Sequence, residues 1–342
     1  MSRAMKITVL LGGTSSERDV SVISGLRIAE ALRSRGHEVT AFDTAKGVVS
    51  AEDSARLLAG GVGTAPPSPE ALRAMQDKVL LGNLSQLKSN DVVFLALHGG
   101  QGEDGTIQAL LELVGVPYTG SGHLASGIAM DKDLTKRLLR QAGVPTAEWR
   151  MAPLARAEAE RVFSLPVVVK PSKQGSTVGL SVVKQWSDYD AAVAEAYRHD
   201  DEVMIEAFVP GRELTVAVIG DEALPVGEII PAKEIYDYEC KYTPGMAREE
   251  FPADLPPAIA AEAQRLGVAT FRALKLRGYA RVDFRLTPAG DLFCLEANTL
   301  PGMTALSLVP QAAAAAGIGF EELCDRVAHL AAGRSTVSRD AR

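Results

Sequence analysis

Aromatic residues are scarce in this chain, at 5 % of 342 residues against a hydrophobic content of 46 %. Its cores must therefore be aliphatic. Cysteine is scarcer still. Cys240, Cys294 and Cys324 are odd in number, widely spaced and form no C-x-x-C pair. That argues against a disulfide framework and for reduced thiols in a cytosolic protein. No long basic run occurs and the net charge is −7, which excludes an extended nucleic-acid-binding surface but leaves room for a few lysines around one anion. No segment approaches a membrane span, and the apolar run Ile7 to Leu11 is too short for a signal-peptide core.

What is present centres on residues 280–304, ARVDFRLTPAGDLFCLEANTLPGMT. Two alternating arms flank a Pro-Ala-Gly-Asp turn. Val282, Phe284 and Leu286 alternate with Arg281, Asp283 and Arg285. Phe293, Leu295 and Ala297 alternate with Cys294, Glu296 and Asn298. A turn centred between Ala289 and Gly290 sets Thr287 opposite Leu292, Asp283 opposite Glu296 and Arg281 opposite Asn298. Opposed carboxylates repel unless something lies between them. Two readings stand: a solvated strand face balanced by Arg281 and Arg285, or a hard divalent cation of the Mg²⁺ type.

Elsewhere, KITVLL (6–11) reads as a buried parallel strand, followed by a Gly12-Gly13 turn that lacks G-x-G-x-x-G. A helix from about Ser16 to Arg35 follows, with Ser16-x-x-Asp19 as a capping box. Residues 46–76 show no periodicity. The strand VVFLAL (92–97) ends in a glycine-rich turn at His98, the end of an α/β strand where ligands gather. Met130-Asp131-Lys132-Asp133 opens a helix to about Gln141. Strands Val167–Lys170 and Leu180–Val183 flank a Gly/Ser/Thr loop whose N–H groups suit phosphate oxygens, although it is no Walker A loop. Helices are expected at 187–199, 257–275 and 319–332, strands at 202–209 and in the two apolar runs after it, a closing loop at 236–245 and a disordered polar tail.

Seven motifs in this order, LLGGTSSERDVS, HGGQGEDG, MDK, KPSKQGSTVG, YDYECKY, RVDF and LEANTLPGMT, resemble the D-alanine–D-alanine ligase family of the ATP-grasp superfamily. The likeness runs from about Met5 to Leu330. It implies an α/β, three-domain ATP-grasp fold: an N-terminal open parallel-sheet domain (1–120), a central lid (121–205), a C-terminal domain (206–332) and a polar tail (333–342). It implies ATP-dependent joining of two D-alanines through an acyl phosphate for peptidoglycan precursor synthesis, with D-lactate or D-serine as the alternative acceptor. Asp283, Glu296 and Asn298 look like ligands for two Mg²⁺, with Mn²⁺ as a substitute. Lys132, Lys170, Gly175, Ser176, Thr177, Glu206, Phe208, Val209, Glu213, Lys241 and Leu295 would border ATP. Glu17 and His98 would hold the first D-alanine, Arg281 and Gly302 the oxyanion, and Ser307 and Leu308 the second D-alanine. Glu17, Ser176 and Tyr242 would tie the closing loop to the site. A cytoplasmic homodimer is implied, with no nucleic-acid or membrane partner.

Overall fold

The computed structural model describes residues 3–15, 17–61, 78–175, 177–231, 246–305 and 307–333. Ser16, Ser176, Cys240, Lys241, Tyr242, the loop 236–245 and the tail from 334 lie outside the described residues, as do residues 62–77.

The first sheet has the order β3-β2-β1-β4, from β1 (Lys6–Leu11), β2 (Glu38–Asp43), β3 (Gly47–Val48) and β4 (Val92–Leu95). β1 runs parallel to β2 and β4, and every residue of KITVLL except Lys6 is buried, as a strand covered on both faces requires. Helix α1 (Arg18–Ser34) lies on it. The close approach occurs at Gly25, where an added Cβ would stand 2.5 Å from Leu11 Cβ. The helix begins at Arg18 with Glu17 as N-cap and no side-chain cap bond; the expected Ser16 cap falls outside the described residues. Within 46–61, the expectation of an aperiodic excursion is corrected. β3 leads into α2 (Ala51–Gly60), where Ser50 Oγ accepts the Asp53 N–H at 3.0 Å. This short, locally capped helix buries no residue fully and so leaves no strong apolar stripe.

Short helices α3 (Lys78–Gly82) and α4 (Leu84–Leu87) precede β4, and α5 (Thr106–Val114), α6 (His123–Met130) and α7 (Lys132–Gln141) follow it. Asp131 caps α7, accepting the Leu134 N–H at 3.0 Å. The second sheet, β5-β8-β6-β7, is antiparallel throughout. It comprises β5 (Trp149–Met151), β6 (Val167–Pro171), β7 (Ser181–Val183) and β8 (Val203–Ala207), with helices α8 (Arg156–Val162) and α9 (Tyr189–Ala196). Ala159, Phe163, Val167, Val169, Tyr189, Val203 and Ile205 form its own core.

The third sheet, β12-β11-β9-β13-β14 with β10 on β9, takes β9 (Arg212–Ile219), β10 (Glu222–Ala223), β11 (Gly227–Pro231), β12 (Ala247–Glu250), β13 (Tyr279–Leu286) and β14 (Leu292–Asn298). Helix α10 (Pro257–Ala273) backs it. Arg281 pairs with Asn298 and Asp283 with Glu296, as expected, but the register shifts between Asp283 and Phe284, and Leu286, not Thr287, faces Leu292. Leu295 is the extra residue of a β-bulge. The bulge also reverses the expected faces of β14 from Leu292 to Leu295, while Glu296, Ala297 and Asn298 keep theirs. Cys294 joins Val282, Phe284, Leu286, Leu292 and Ala297 in the core, whereas Phe293 and Leu295 are not part of it.

The last helices, α11 (Leu308–Ala315) and α12 (Phe320–Ala332), do not extend the third sheet. Val309, Ala312, Leu323, Cys324, Val327 and Ala328 share one core with β1, β4 and α1. Where α12 meets the end of α1, Asp325 gathers three cationic or proton-donating groups: His37 Nε2 at 2.8 Å, His329 Nδ1 at 3.0 Å and Arg35 Nη2 at 3.3 Å. Among the described residues no helix is long and apolar enough to cross a membrane.

Candidate active site

A cleft of about 1090 Å³, open to solvent, lies between the second and third sheets. Lys132, Lys170, Gly175, Thr177, Glu206, Phe208, Val209, Glu213, Arg281, Asp283, Leu295 and Glu296 all line it. The expected nucleotide residues that are described, both carboxylates and Arg281 are thus brought into one space.

The second sheet supplies a basic wall. Lys170 on β6 and Glu206 on β8 are diagonal neighbours, since Val168 pairs with Glu206. Lys170 Nζ reaches Glu206 Oε2 at 2.6 Å, and Lys136 from α7 holds Glu206 Oε1. Burial acts to raise the Glu206 pKa, but the two ammonium groups overcome it and bring the carboxyl down to about 2. Thr177, in the loop after β6, has φ +64, a left-handed conformation uncommon for a β-branched residue and of the kind that clusters at ligand clamps.

The third sheet supplies the carboxylate wall. Asp283 accepts Thr215 Oγ1 at 2.7 Å and a two-pronged contact from Arg281, with Nε and Nη2 both at 2.9 Å. Glu296 stands directly opposite, with Lys132 Nζ at 3.4 Å. Asn298 Oδ1 accepts the Leu300 N–H at 3.1 Å. Two carboxylates and an amide oxygen on one short hairpin are an oxygen-only donor set that fits a hard cation such as Mg²⁺. Arg281 and Lys132 offset the repulsion of the acids. The bulge turns Leu295 into the cleft beside Glu296. Arg285 braces the segment between the sheets: its Nε donates to Val209 O at 3.1 Å, its Nη1 lies 3.4 Å from Glu213, and its guanidinium sits 5.8 Å from the Phe208 ring centre.

Of the remaining expected residues, Glu17 and His98 lie near the carboxyl ends of β1 and β4, while Gly302, Ser307 and Leu308 stand together at the start of α11. A recess of about 520 Å³ at the strand ends, open to solvent, is bordered by Gly12–Ser15, Thr44 and Leu97–Gly102. Glu17 Oε2 lies close enough to Gly99 that an added Cβ would be 3.2 Å from it. His98 is buried, with Nδ1 3.0 Å from the Leu300 carbonyl. That oxygen only accepts, so Nδ1 carries the proton. Burial lowers the His98 pKa, opposed by the charge of Glu17, so the ring is neutral near pH 7. Gly302 approaches Ser307 so closely that a Cβ would stand 2.8 Å from its hydroxyl. Ser307 Oγ accepts the Thr304 N–H at 3.1 Å, and Leu308 begins α11. Ser176, Lys241 and Tyr242 cannot be placed among these groups, because they lie outside the described residues.

The sequence reading missed Lys136 and Thr215 and gave Arg285 no site role. Lys136 follows Lys132 by one helical turn, a spacing that puts both on one face of α7. Outside the cleft, ligand atoms of His37, Asp325 and His329 lie within 4.8 Å of one another. His37 Nδ1 accepts the Met5 N–H at 3.1 Å, so Nε2 carries the proton and points it at Asp325. That tautomer has no lone pair left on Nε2 for a metal.

Two antiparallel sheets closing on a cleft, with lysines on one wall and paired carboxylates on the other, define the class as an ATP-grasp ligase. Residues 6–121 match the family described as D-ala D-ala ligase N-terminus, and residues 138–329 the one described as D-ala D-ala ligase C-terminus. The chain belongs to the D-alanine–D-alanine ligase family. It is 43 % identical to the D-alanine–D-alanine ligase of Geotalea uraniireducens, over 96 % of each chain, and 44 % identical to that of Anaeromyxobacter sp., over 94 % of this chain and 95 % of the relative. Among solved structures, the D-alanine–D-alanine ligase of Bacillus anthracis complexed with ATP superposes with a TM-score of 0.76 at 32 % identity, covering 97 % and 98 % of the two chains. The VanG D-Ala:D-Ser ligase of Enterococcus faecalis gives 0.80 at 28 % identity, covering 96 % and 99 %.

Proposed function

We propose that this chain joins two D-alanine molecules to D-alanyl-D-alanine, with ATP giving ADP and phosphate. The observation that carries the reading is the hairpin register, which sets Asp283 against Glu296 with Lys132 3.4 Å away in a cleft shared with Lys170. The terminal phosphoryl group of ATP passes to a carboxylate oxygen of the first D-alanine. The amine of the second attacks the acyl carbon, the carbon–oxygen bond to phosphate breaks, and the amine loses a proton. Lys132 and Lys170 neutralise the phosphates as point charges. Glu206, Phe208, Val209, Glu213 and Leu295 border the adenosine. Arg281 and the Gly302 N–H face the developing oxyanion, a task worth about 3–4 kcal/mol per donor. Glu17 holds the first ammonium, His98 lies by the first carboxylate, and Ser307 and Leu308 take the second carboxylate at the start of α11. Asp283, Glu296 and Asn298 would hold two Mg²⁺ ions, which supply charge neutralisation at the phosphates.

Residues 1–120, 121–205 and 206–332 would act as substrate domain, lid and metal-bearing domain of a cytoplasmic homodimer. D-Alanine-dependent release of phosphate from ATP, with D-alanyl-D-alanine as product, tests the reading; ATP turnover indifferent to D-alanine refutes it.

A second acceptor is the other reading, favoured by the likeness to a D-Ala:D-Ser ligase. Tyr242, in YDYECKY, would favour an amine over a hydroxy acid by linking to Ser176 and Glu17. Tyr242→Phe should raise the fraction of D-alanyl-D-lactate when D-alanine and D-lactate compete at equal concentration, by a coupling of about 0.5–3 kcal/mol. An unchanged product ratio removes the specificity role.

A further inference from the structure

We propose that Lys136 is a positioning residue for nucleotide recognition, keeping the Glu206 carboxylate charged and fixed when Lys170 turns from it to the phosphates. The inference rests on the reading of the cleft as the ATP site.

Glu206 has two oxygens, and each is held by a different ammonium: Oε1 by Lys136, and Oε2 by Lys170 at 2.6 Å. The two lysines are not equivalent. Lys170 lines the cleft beside Gly175 and Thr177. Lys136 is not among the lining residues and is 0 % exposed. Its ammonium also donates to Thr146 Oγ1 at 2.6 Å, and the Thr146 hydroxyl in turn donates a hydrogen bond to the Cys294 carbonyl at 3.0 Å. The Trp149 ring centre lies 5.0 Å away. Lys136 is thus committed to fixed partners on β8, on β5 and in the segment before β5, and cannot reach a phosphate. Lys170 can, because a polyphosphate in the cleft competes directly for it.

The consequence is electrostatic. Glu206 is only 3 % exposed. A buried carboxylate stripped of its partner takes up a proton or is destabilised. With Lys170 drawn away, Lys136 is the remaining counter-charge that keeps Glu206 an acceptor for donors on the bound nucleoside. The charged groups facing Glu206 are Lys136 from α7 and Lys170 from β6, with the Cys294 thiol of β14 near Lys136 and held neutral by burial. The Thr146–Cys294 link places the same ammonium one hydroxyl away from the strand that carries Glu296.

The test compares the parent, Lys136→Met, Thr146→Val, and Lys136→Met combined with Glu206→Gln, by steady-state kinetics. Lys136→Met should raise the KM for ATP about tenfold or more, the scale of one charge-assisted hydrogen bond. Its kcat and KM for D-alanine should stay within about twofold. Its KM for ATP should climb more steeply than the parent's as pH falls, because a buried Glu206 that has lost one of its two ammonium partners protonates more readily. In the Glu206→Gln background, Lys136→Met should add less than about twofold. If Lys136→Met does not fold, Thr146→Val should still raise the KM for ATP alone about threefold. A parent that releases no phosphate from ATP with D-alanine present refutes the functional reading itself. An active parent with unchanged ATP kinetics and pH profile in folded Lys136→Met, or in folded Thr146→Val where the former is not folded, overturns the positioning role.

Discussion

Lys132 ties the carboxylate hairpin to the loop after β6: its ammonium lies 3.4 Å from Glu296 Oε2 and 2.6 Å from the carbonyl of Gln174. One side chain at the start of α7 therefore senses both walls of the cleft. A cation placed between Asp283 and Glu296 would compete with it for Glu296, and a phosphate would compete with the Gln174 carbonyl for its protons.

Glu296→Gln should lower kcat by about 10²-fold or more with Mg²⁺, the scale of losing one preorganised charge contact. The fold should survive, since the change relieves the repulsion with Asp283. Turnover within about tenfold of the parent, in a protein of unchanged thermal unfolding, would remove the metal assignment.

The loop between β6 and β7 should gain protection when ATP and Mg²⁺ bind, because Gly175 and Thr177 line the cleft. Hydrogen exchange across it should slow on addition of both. Exchange that is unchanged at saturating nucleotide counts against a phosphate role for the loop.

Gly25→Ala should destabilise the protein by about 1–3 kcal/mol, the usual cost of overpacking. The new methyl would stand 2.5 Å from Leu11 Cβ and 3.3 Å from Ala96 Cβ. Denaturant unfolding measures this directly. A loss below about 0.5 kcal/mol would mean that α1 slides off β1 without penalty.

The cluster at Asp325 makes a pH-dependent contribution with a definite sign. Burial acts to raise its pKa, but the His37 hydrogen bond, the His329 charge and Arg35 outweigh it, so the folded value lies below the usual carboxylate value. A depressed folded pKa means that the stabilisation is complete above the unfolded value, about pH 4, and is lost as pH falls through the folded one. The parent's advantage over Asp325→Asn in thermal unfolding should therefore shrink as pH falls below about 4. A constant difference down to pH 2 would contradict the assignment.

The hairpin shows both the reach and the limit of the sequence. Alternation set Asp283 and Glu296 on one face because side chains of a strand alternate without exception while pairing is regular. It could not reveal the bulge at Leu295, since an inserted residue leaves composition and spacing unchanged; the result was the wrong face for Phe293, Leu295 and Cys294. KITVLL was legible to the residue because a doubly buried strand is apolar throughout. The helix Ala51–Gly60 was not, since its signal is a local cap and not a stripe. Lys136 escaped because the carboxylate that gives it meaning is 70 residues away in sequence, and only packing brings the two together.

The shared core of the first sheet and the last two helices has a consequence for synthesis. Val9, Leu26 and Phe94 are made more than 200 residues before Leu323, Val327 and Ala328, which pack in the same cluster. At about 5–20 residues per second, the interval is on the order of 10–50 s. During that time the nascent first sheet carries an open apolar face, and α12 is what closes it.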